Sequence, residues 1–193
     1  MPRVLGIDTS LTATGLARID FTPSSPALPT GTMEIATATV GAPKPSKDKS
    51  KRAMARRVNA LLSQIELGIL SDSGPDDPPP DLIAMEGLAY GAKGESAWVL
   101  PWVFGRVIEL AEKYDIPLII VATSARAKYA TGNGRSDKDA VLASAIKLWP
   151  EADIANNNEG DAVVVGAVGC HYLGFPICAS TVYRAEVLAK VEH

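Results

Sequence analysis

The chain alternates between short apolar runs and longer segments with helical periodicity. Nearly continuous apolar runs are typical of strands that are buried on both faces. Strands are therefore predicted at residues 4–7, 14–19, 31–40, 81–86 and 117–121. A proline- and serine-rich loop is expected over residues 21–29, between the second strand and the third.

Apolar residues recur at helical spacing after the third strand and between the later ones. Helices are predicted at residues 47–70, 95–114 and 136–149. Glu159 opens a further, strongly apolar helix over residues 161–173, and a short terminal helix is predicted at 182–191. An acidic, proline-rich loop is expected at residues 71–80.

This order of elements favours an α/β fold. A meander of three strands followed by alternating helices and strands predicts a mixed five-stranded sheet with helices on both faces. The length of 193 residues and the hydrophobic content of 47% suit one well-buried domain. We therefore expect a single domain that spans residues 1–193.

Composition narrows the range of partners and compartments. The formal net charge of −3 gives no global sign of nucleic-acid binding, so any DNA contact depends on local clusters of basic residues. Cys170 and Cys178 match no zinc motif and are expected to be thiols in a reducing compartment. No run reaches the roughly 18 apolar residues of a membrane span, and no secretory signal is expected. The predicted location is cytoplasmic.

Three acidic residues stand at the ends of predicted elements. Asp8 follows the first strand, Glu86 ends the fourth, and Asp161 lies at the start of the apolar helix. If the first and fourth strands are parallel, Asp8 and Glu86 reach the same sheet edge, where α/β folds place their sites. Clustered carboxylates without nearby His or Cys suit Mg²⁺ or Mn²⁺. A pair of such ions can activate water for an in-line phosphoryl displacement.

Each of these acids also has a purely structural alternative. Asp8 could cap the turn that follows it. Glu86 could be a solvated loop residue, and Asp161 could be stabilised by the helix dipole alone. Their shared position at one expected sheet edge favours the metal centre.

Four segments carry a resemblance to a known family, and they occur in the family's order. They are GIDTSLTATGLA, LIAMEGLAYG, SARAKYATGNGRSDKDAVLASAIKLW and NEGDAVVVGAVGCHYLG. Together they resemble the RuvC-type Holliday-junction resolvases, within the ribonuclease-H-like superfamily. The resemblance implies a homodimeric endonuclease that cuts phosphodiester bonds in branched DNA by water attack. It also implies Mg²⁺ or Mn²⁺ as the cofactor, with two ions in each active site.

The same resemblance implies roles for individual acidic residues. Asp8, Glu86 and Asp161 correspond to metal ligands. The family commonly has an aspartate three residues before the last ligand, and Asn158 stands there in this chain as a neutral candidate metal ligand. The adjacent Glu159 could replace it as a ligand if the start of the helix turns its side chain inward.

Basic residues are also implicated by the resemblance. Lys138 corresponds to a basic residue near the scissile phosphate, where it could stabilise charge in the transition state or orient water. Lys128 matches an earlier basic position of the family. A solvated lysine near a helix start is the alternative for Lys138.

Two clusters of basic residues are candidates for phosphate contacts, although a solvated surface is the alternative for the first of them. The predicted DNA-binding residues are Lys47, Lys49, Lys51, Arg52 and Arg56 in the first cluster, and Arg126, Lys128 and Arg135 in the second. Tyr90 is a candidate for stacking on a base, one position from the family's usual spacing.

Symmetric cutting of two strands requires two active sites, which a twofold dimer would supply. The apolar helix segment 98–110 is a candidate interface, or alternatively part of the core of one subunit. Two other functions remain open. An actin-like phosphotransferase would need a second domain of this kind, and a non-catalytic branched-DNA-binding protein would explain Asn158.

Overall fold

A computed structural model describes residues 2–25, 28–44, 47–70, 78–88 and 93–193 of the chain. Five strands form one mixed sheet in the order β3-β2-β1-β4-β5. They are β1 (Arg3–Asp8), β2 (Thr14–Ser25), β3 (Leu28–Val40), β4 (Leu82–Glu86) and β5 (Leu118–Val121). β1, β2 and β3 are antiparallel neighbours, whereas β4 pairs in parallel with both β1 and β5. The predicted mixed five-stranded sheet is therefore confirmed.

Helices cover both faces of this sheet. They are α1 (Lys51–Leu70), α2 (Ser96–Lys113), α3 (Thr123–Thr131), α4 (Lys138–Leu148), α5 (Asn157–Tyr172) and α6 (Val182–Leu188). α1 and α2 pack on Leu5 and Ile7 of β1, while the other helices share a core with Val4. Successive β1 side chains thus supply two separate apolar cores, as expected for a strand buried on both faces. None of the helices in the described ranges is long and apolar enough to cross a bilayer.

The loop predicted at residues 21–29 is wrong, because β2 and β3 continue through most of it. Their pairing runs past Phe21 to Ser25, with an irregularity in register beyond Pro23. β1 pairs with β2 only as far as Asp20, so Pro23 lies in a two-stranded ribbon. Proline has no amide N–H to donate, and at an edge of the sheet the side without a partner strand requires no such donor.

Helix boundaries differ from the predictions for identifiable reasons. α1 begins at Lys51 instead of residue 47, because the Ser50 hydroxyl accepts a hydrogen bond from the amide of Ala53 and caps the helix. The segment of α3 carried no helix prediction. Its buried face includes Arg126, which interrupts the apolar periodicity on which the prediction depended. Most of the loop predicted at 71–80 lies outside the described residues.

α5 lies unusually close to the sheet. A Cβ atom on Gly6 would clash with the carbonyl oxygen of Ala162 and would lie 2.7 Å from the Gly166 nitrogen. A Cβ atom on Gly15 would clash with the backbone of Asn158. The two glycines therefore let the first turns of α5 rest directly on β1 and β2.

Candidate metal centre

Three elements bring carboxylates together at one edge of the sheet. Asp8 ends β1 and Glu86 ends β4, and these strands run in parallel register, with Ile7 opposite Met85. Asp161 comes from the first turns of α5, which is held against β1. One ligand atom from each of the three carboxylates lies within 4.8 Å of the other two. Glu86 and Asp161 are buried, while Asp8 is half-buried.

The proximity of these acids changes the protonation of Glu86. Burial, the negative charge of Asp8 and a hydrogen bond with Asp8 raise the pKa of Glu86 to about 7. The Arg126 guanidinium and a hydrogen bond from Thr123 oppose this rise in pKa. Without a nearby cation, the Glu86 carboxyl therefore keeps its proton up to about neutral pH.

Arg126 is an internal partner of two of the carboxylates. Its Nε lies 3.3 Å from Glu86 Oε1, and its Nη1 forms an ion pair with Asp161 Oδ1. The Arg126 side chain is only 4% exposed. The structure thus places Arg126, which was predicted from the sequence to contact DNA beside the carboxylates, inside the acidic site itself.

One carboxylate oxygen of the site lacks a hydrogen bond. Asp161 Oδ2 is buried without a hydrogen-bond partner. It forms a long ion pair with Lys138, whose Nζ lies 3.8 Å away. Lys138 is 62% exposed, whereas the Asp161 side chain is 2% exposed. A buried anionic oxygen without a donor is costly unless a cation completes it. The three hard carboxylate donors and this unsatisfied oxygen together fit a divalent ion such as Mg²⁺ or Mn²⁺.

Glu159 is not brought to the three carboxylates. It accepts hydrogen bonds from the Ala155 amide at 2.8 Å and from Thr39 Oγ1 at 2.7 Å. Asn156 caps the same helix end by accepting from the Asn158 and Glu159 amides. Glu159 therefore completes a capping arrangement, in which the side chain points back toward the residues before the helix. Asn158 is half-buried in the same first turn, beside Gly15.

The first basic cluster lies in and before the start of α1, on the surface. Its members Lys47, Lys49, Lys51, Arg52 and Arg56 are all exposed. Lys51 packs over the ring of Trp98 at 3.9 Å, and Arg56 pairs with Asp48 at 2.9 Å. The cluster follows the end of β3, and the amide of Ala42 there binds the Leu11 carbonyl in the turn after Asp8. The basic segment therefore leaves the sheet at the end that carries the carboxylates.

The second basic cluster is dispersed. Arg135 is exposed, while Lys128 is half-buried and pairs with Glu186. Tyr90, the predicted stacking residue, lies outside the described residues.

Thr123 and Arg126 are the site residues whose contacts with the carboxylates were not predicted. Both follow β5, which runs parallel to β4. Their position at the carboxyl edge of the sheet could therefore have been predicted from the strand order. The direction of their side chains depends on α3, for which the apolar pattern gave no signal.

The strand order, the flanking helices and the carboxylate centre define a protein of ribonuclease-H-like fold. No family model matches the chain. It is 26% identical over 171 residues to the crossover junction endodeoxyribonuclease RuvC of Wolbachia sp. subsp. Brugia malayi (strain TRS), covering 89% of this chain and 94% of that protein. The resemblance to RuvC-type resolvases that was predicted from four sequence segments is therefore confirmed.

Solved structures show the same fold. Thermus thermophilus RuvC matches with a TM-score of 0.59 at 17% identity, covering 90% of this chain and 97% of that one. The complex of T. thermophilus RuvC with a Holliday junction substrate gives a TM-score of 0.60 at 15% identity, with 91% and 98% covered. The yeast mitochondrial Holliday junction resolvase Ydc2 matches with a TM-score of 0.53 at 13% identity, and the match covers 96% of this chain and 82% of Ydc2.

Proposed function

We propose that this chain is a divalent-metal-dependent endonuclease that cuts phosphodiester bonds in branched DNA, with residues 1–193 acting as one nuclease domain. The observation that carries the proposal is the convergence of Asp8, Glu86 and Asp161, with Asp161 Oδ2 buried and lacking a hydrogen bond. The similarity over most of its length to a crossover junction endodeoxyribonuclease supports the choice of substrate class.

The residues present suit hydrolysis of a phosphodiester. Asp8, Glu86 and Asp161 would hold the divalent cation, which supplies Lewis acidity and lowers the pKa of bound water. Glu86 must release its proton before it can serve as a ligand, because a protonated carboxyl binds a hard cation poorly. Lys138 reaches from solvent toward Asp161, so its ammonium group is positioned to contact an incoming phosphate.

Branched DNA also needs a surface around the site. The exposed first basic cluster leaves the sheet at the same end as Asp8 and would contact phosphates beyond the scissile one. We further propose that the protein acts as a homodimer, because two copies supply an active site for each of two strands. α2 exposes Ile108 on its surface, which keeps this helix a candidate interface.

A synthetic four-way junction with labelled strands tests the proposal. In Mg²⁺ or Mn²⁺ we expect paired nicks in two strands, and in EDTA we expect binding without cleavage. Asp8→Asn should lower the cleavage rate at least a hundredfold while junction binding persists, because one charged ligand is lost from the centre.

Asp139→Asn is the matched control. Asp139 is an exposed acid in the first turn of α4, next to Lys138 but outside the group of three carboxylates. Its cleavage rate should stay within about twofold of the wild type. Junction binding without cleavage in either metal would contradict the proposal and favour a non-catalytic junction-binding protein, and cleavage that survives Asp8→Asn would remove Asp8 from the site.

A further inference from the structure

The oxygens of Glu86 and Asp161 face two different cationic environments. Arg126 contacts Glu86 Oε1 on one side and Asp161 Oδ1 on the other. The second oxygen of Asp161, Oδ2, takes no part in these contacts and has no hydrogen-bond donor, while Glu86 also bonds to Asp8. The carboxylates thus have one position that a guanidinium fills and another that is lined by Asp8, Glu86 and Asp161.

We propose that Arg126 permanently fills one cation position of this centre, so that each protomer binds a single divalent ion. This inference rests on the proposed function, since it concerns the same site. A guanidinium remains charged at all accessible pH values and bridges two carboxylates in a planar fork, so it is suited to replace a cation. Arg126 is then a positioning residue that fixes Glu86 and Asp161 for the one bound ion.

Burial and anchoring keep Arg126 in place. Its side chain is 4% exposed, and α3 buries the neighbouring residues Ala127, Tyr129 and Ala130 against the core. Moving the guanidinium out of the site would leave the buried carboxylates without their cation, which is strongly unfavourable. The guanidinium therefore competes directly with any ion that needs Glu86 Oε1 and Asp161 Oδ1.

The charges of the site agree with one divalent ion. When all groups are ionised, the three carboxylates and the one buried guanidinium leave two negative charges, which one divalent cation neutralises. The Lys138 ammonium lies 3.8 Å from Asp161 Oδ2, but its side chain is 62% exposed, so solvent screens its charge. Asn158 adds no charge in the first turn of α5, and Glu159 is engaged in the helix cap. Neither residue supplies the anionic ligand that would compensate a second ion.

Calorimetric titration with Mn²⁺, in the absence of DNA and at about pH 8, tests the inference. The full-length wild-type protein should bind one Mn²⁺ per protomer. Arg126→Gln should bind two, with an electron paramagnetic resonance spectrum that shows coupled Mn²⁺ ions, because both faces of the carboxylates become available. Arg126→Lys retains the charge and should still bind one. Arg106→Gln removes an arginine that pairs with Glu109 on the surface of α2 and serves as the control, with wild-type binding.

Two Mn²⁺ ions bound to the wild type, or one bound to a folded Arg126→Gln variant, would overturn the inference. If circular dichroism shows that Arg126→Gln does not fold, the stoichiometries of the wild type and of Arg126→Lys decide the matter. A wild type that binds two ions and cuts junctions overturns this inference alone. A wild type that binds one ion and cuts no junction overturns the proposed function alone.

Discussion

Glu86 is a residue whose protonation makes stability depend on pH. Its pKa is raised from 4.5 to about 7 by burial and by the neighbouring Asp8. In the unfolded chain these causes are absent, so the folded protein holds the Glu86 proton more tightly than the unfolded chain does. Between these pH values the unfolded state loses its proton first, and stability decreases as the pH rises.

Replacing Glu86 by glutamine removes this pH dependence. In EDTA, Glu86→Gln should be similar to the wild type in stability near pH 5 and more stable near pH 8, by on the order of 3 kcal/mol. Urea unfolding at the two pH values measures the difference, and excess Mg²⁺ at pH 8 should stabilise only the wild type appreciably. Glu112→Gln, an exposed site on α2, should follow the wild type at both pH values. An equal difference between Glu86→Gln and the wild type at pH 5 and pH 8 would contradict the role assigned to burial.

For single residues, the sequence predicts the acidic members of the site more readily than the residues that contact them. Asp8, Glu86 and Asp161 each stand at the boundary of an apolar element, where a carboxylate is conspicuous. The contacts of Arg126 are not encoded in a local pattern, because they depend on α3 turning its first buried residue toward the carboxylates at the sheet edge. Glu159 illustrates the converse, since an acid beside a helix start serves equally well as a ligand or as a cap, and hydrogen bonds from Thr39 and Ala155 decide between them.

Among the elements, α5 connects the core to the candidate metal centre. Nearly all its residues from Glu159 to Cys170 are buried, and its first turns touch the backbone of β1 at Gly6. The position of Asp161 relative to Asp8 is therefore set by the contact between this helix and this strand.

Adding one methyl group at Gly6 should disturb both stability and ion binding. The new Cβ atom of Gly6→Ala would clash with backbone atoms of α5, which cannot rotate away as a side chain would. We expect a loss of about 1–3 kcal/mol in the free energy of unfolding and at least tenfold weaker Mn²⁺ binding. Denaturant unfolding and calorimetry measure the two effects.

Gly105→Ala is the matched control for this substitution. Gly105 lies inside α2, and a Cβ atom there would meet nothing within 4 Å. Because alanine favours helix over glycine, the variant should be as stable as the wild type or up to about 1 kcal/mol more stable. Its Mn²⁺ affinity should be unchanged. Equal behaviour of the two variants would show that α5 tolerates displacement from β1.

The elements could be predicted from sequence where apolar periodicity was strong. β1, β4 and β5 were located to within one residue or so at either end, because strands buried on both faces leave an uninterrupted apolar run. The extension of β2 and β3 through a proline- and serine-rich segment was missed, since pairing in a two-stranded ribbon places few demands on composition. α3 was missed because a buried arginine is compensated by carboxylates that are distant in sequence.

For the whole molecule, the distribution of charge determines how DNA would approach. The net charge is −3, yet the exposed first basic cluster is concentrated in and before α1. Each lysine or arginine that contacts a phosphate releases counterions, so DNA binding through this cluster would depend steeply on salt concentration.

Removal of two exposed charges from this cluster should weaken that dependence. Lys49 and Arg52 are suitable because Lys51 packs on Trp98 and Arg56 pairs with Asp48. The double variant Lys49→Ala with Arg52→Ala should bind a four-way junction at least tenfold more weakly at low salt. Its log–log salt slope should decrease by roughly 2.

Fluorescence anisotropy at several salt concentrations provides this measurement. The control is Lys113→Ala with Lys147→Ala, which removes the same charge from the last turns of α2 and α4, outside both basic clusters. An unchanged slope in the first double variant, or equal losses in both, would exclude this cluster as the main contact surface.

The direct seating of α5 on β1 also ties activity to cooperative unfolding. A site carried by loops can unfold locally while the rest of the fold persists. Here Asp161 belongs to α5, whose other residues form part of the hydrophobic core. Any local opening of α5 would therefore expose the core and displace Asp161 together. Thermal inactivation and the disappearance of the hydrophobic interior should accordingly occur as one transition, with no inactive yet compact species between them.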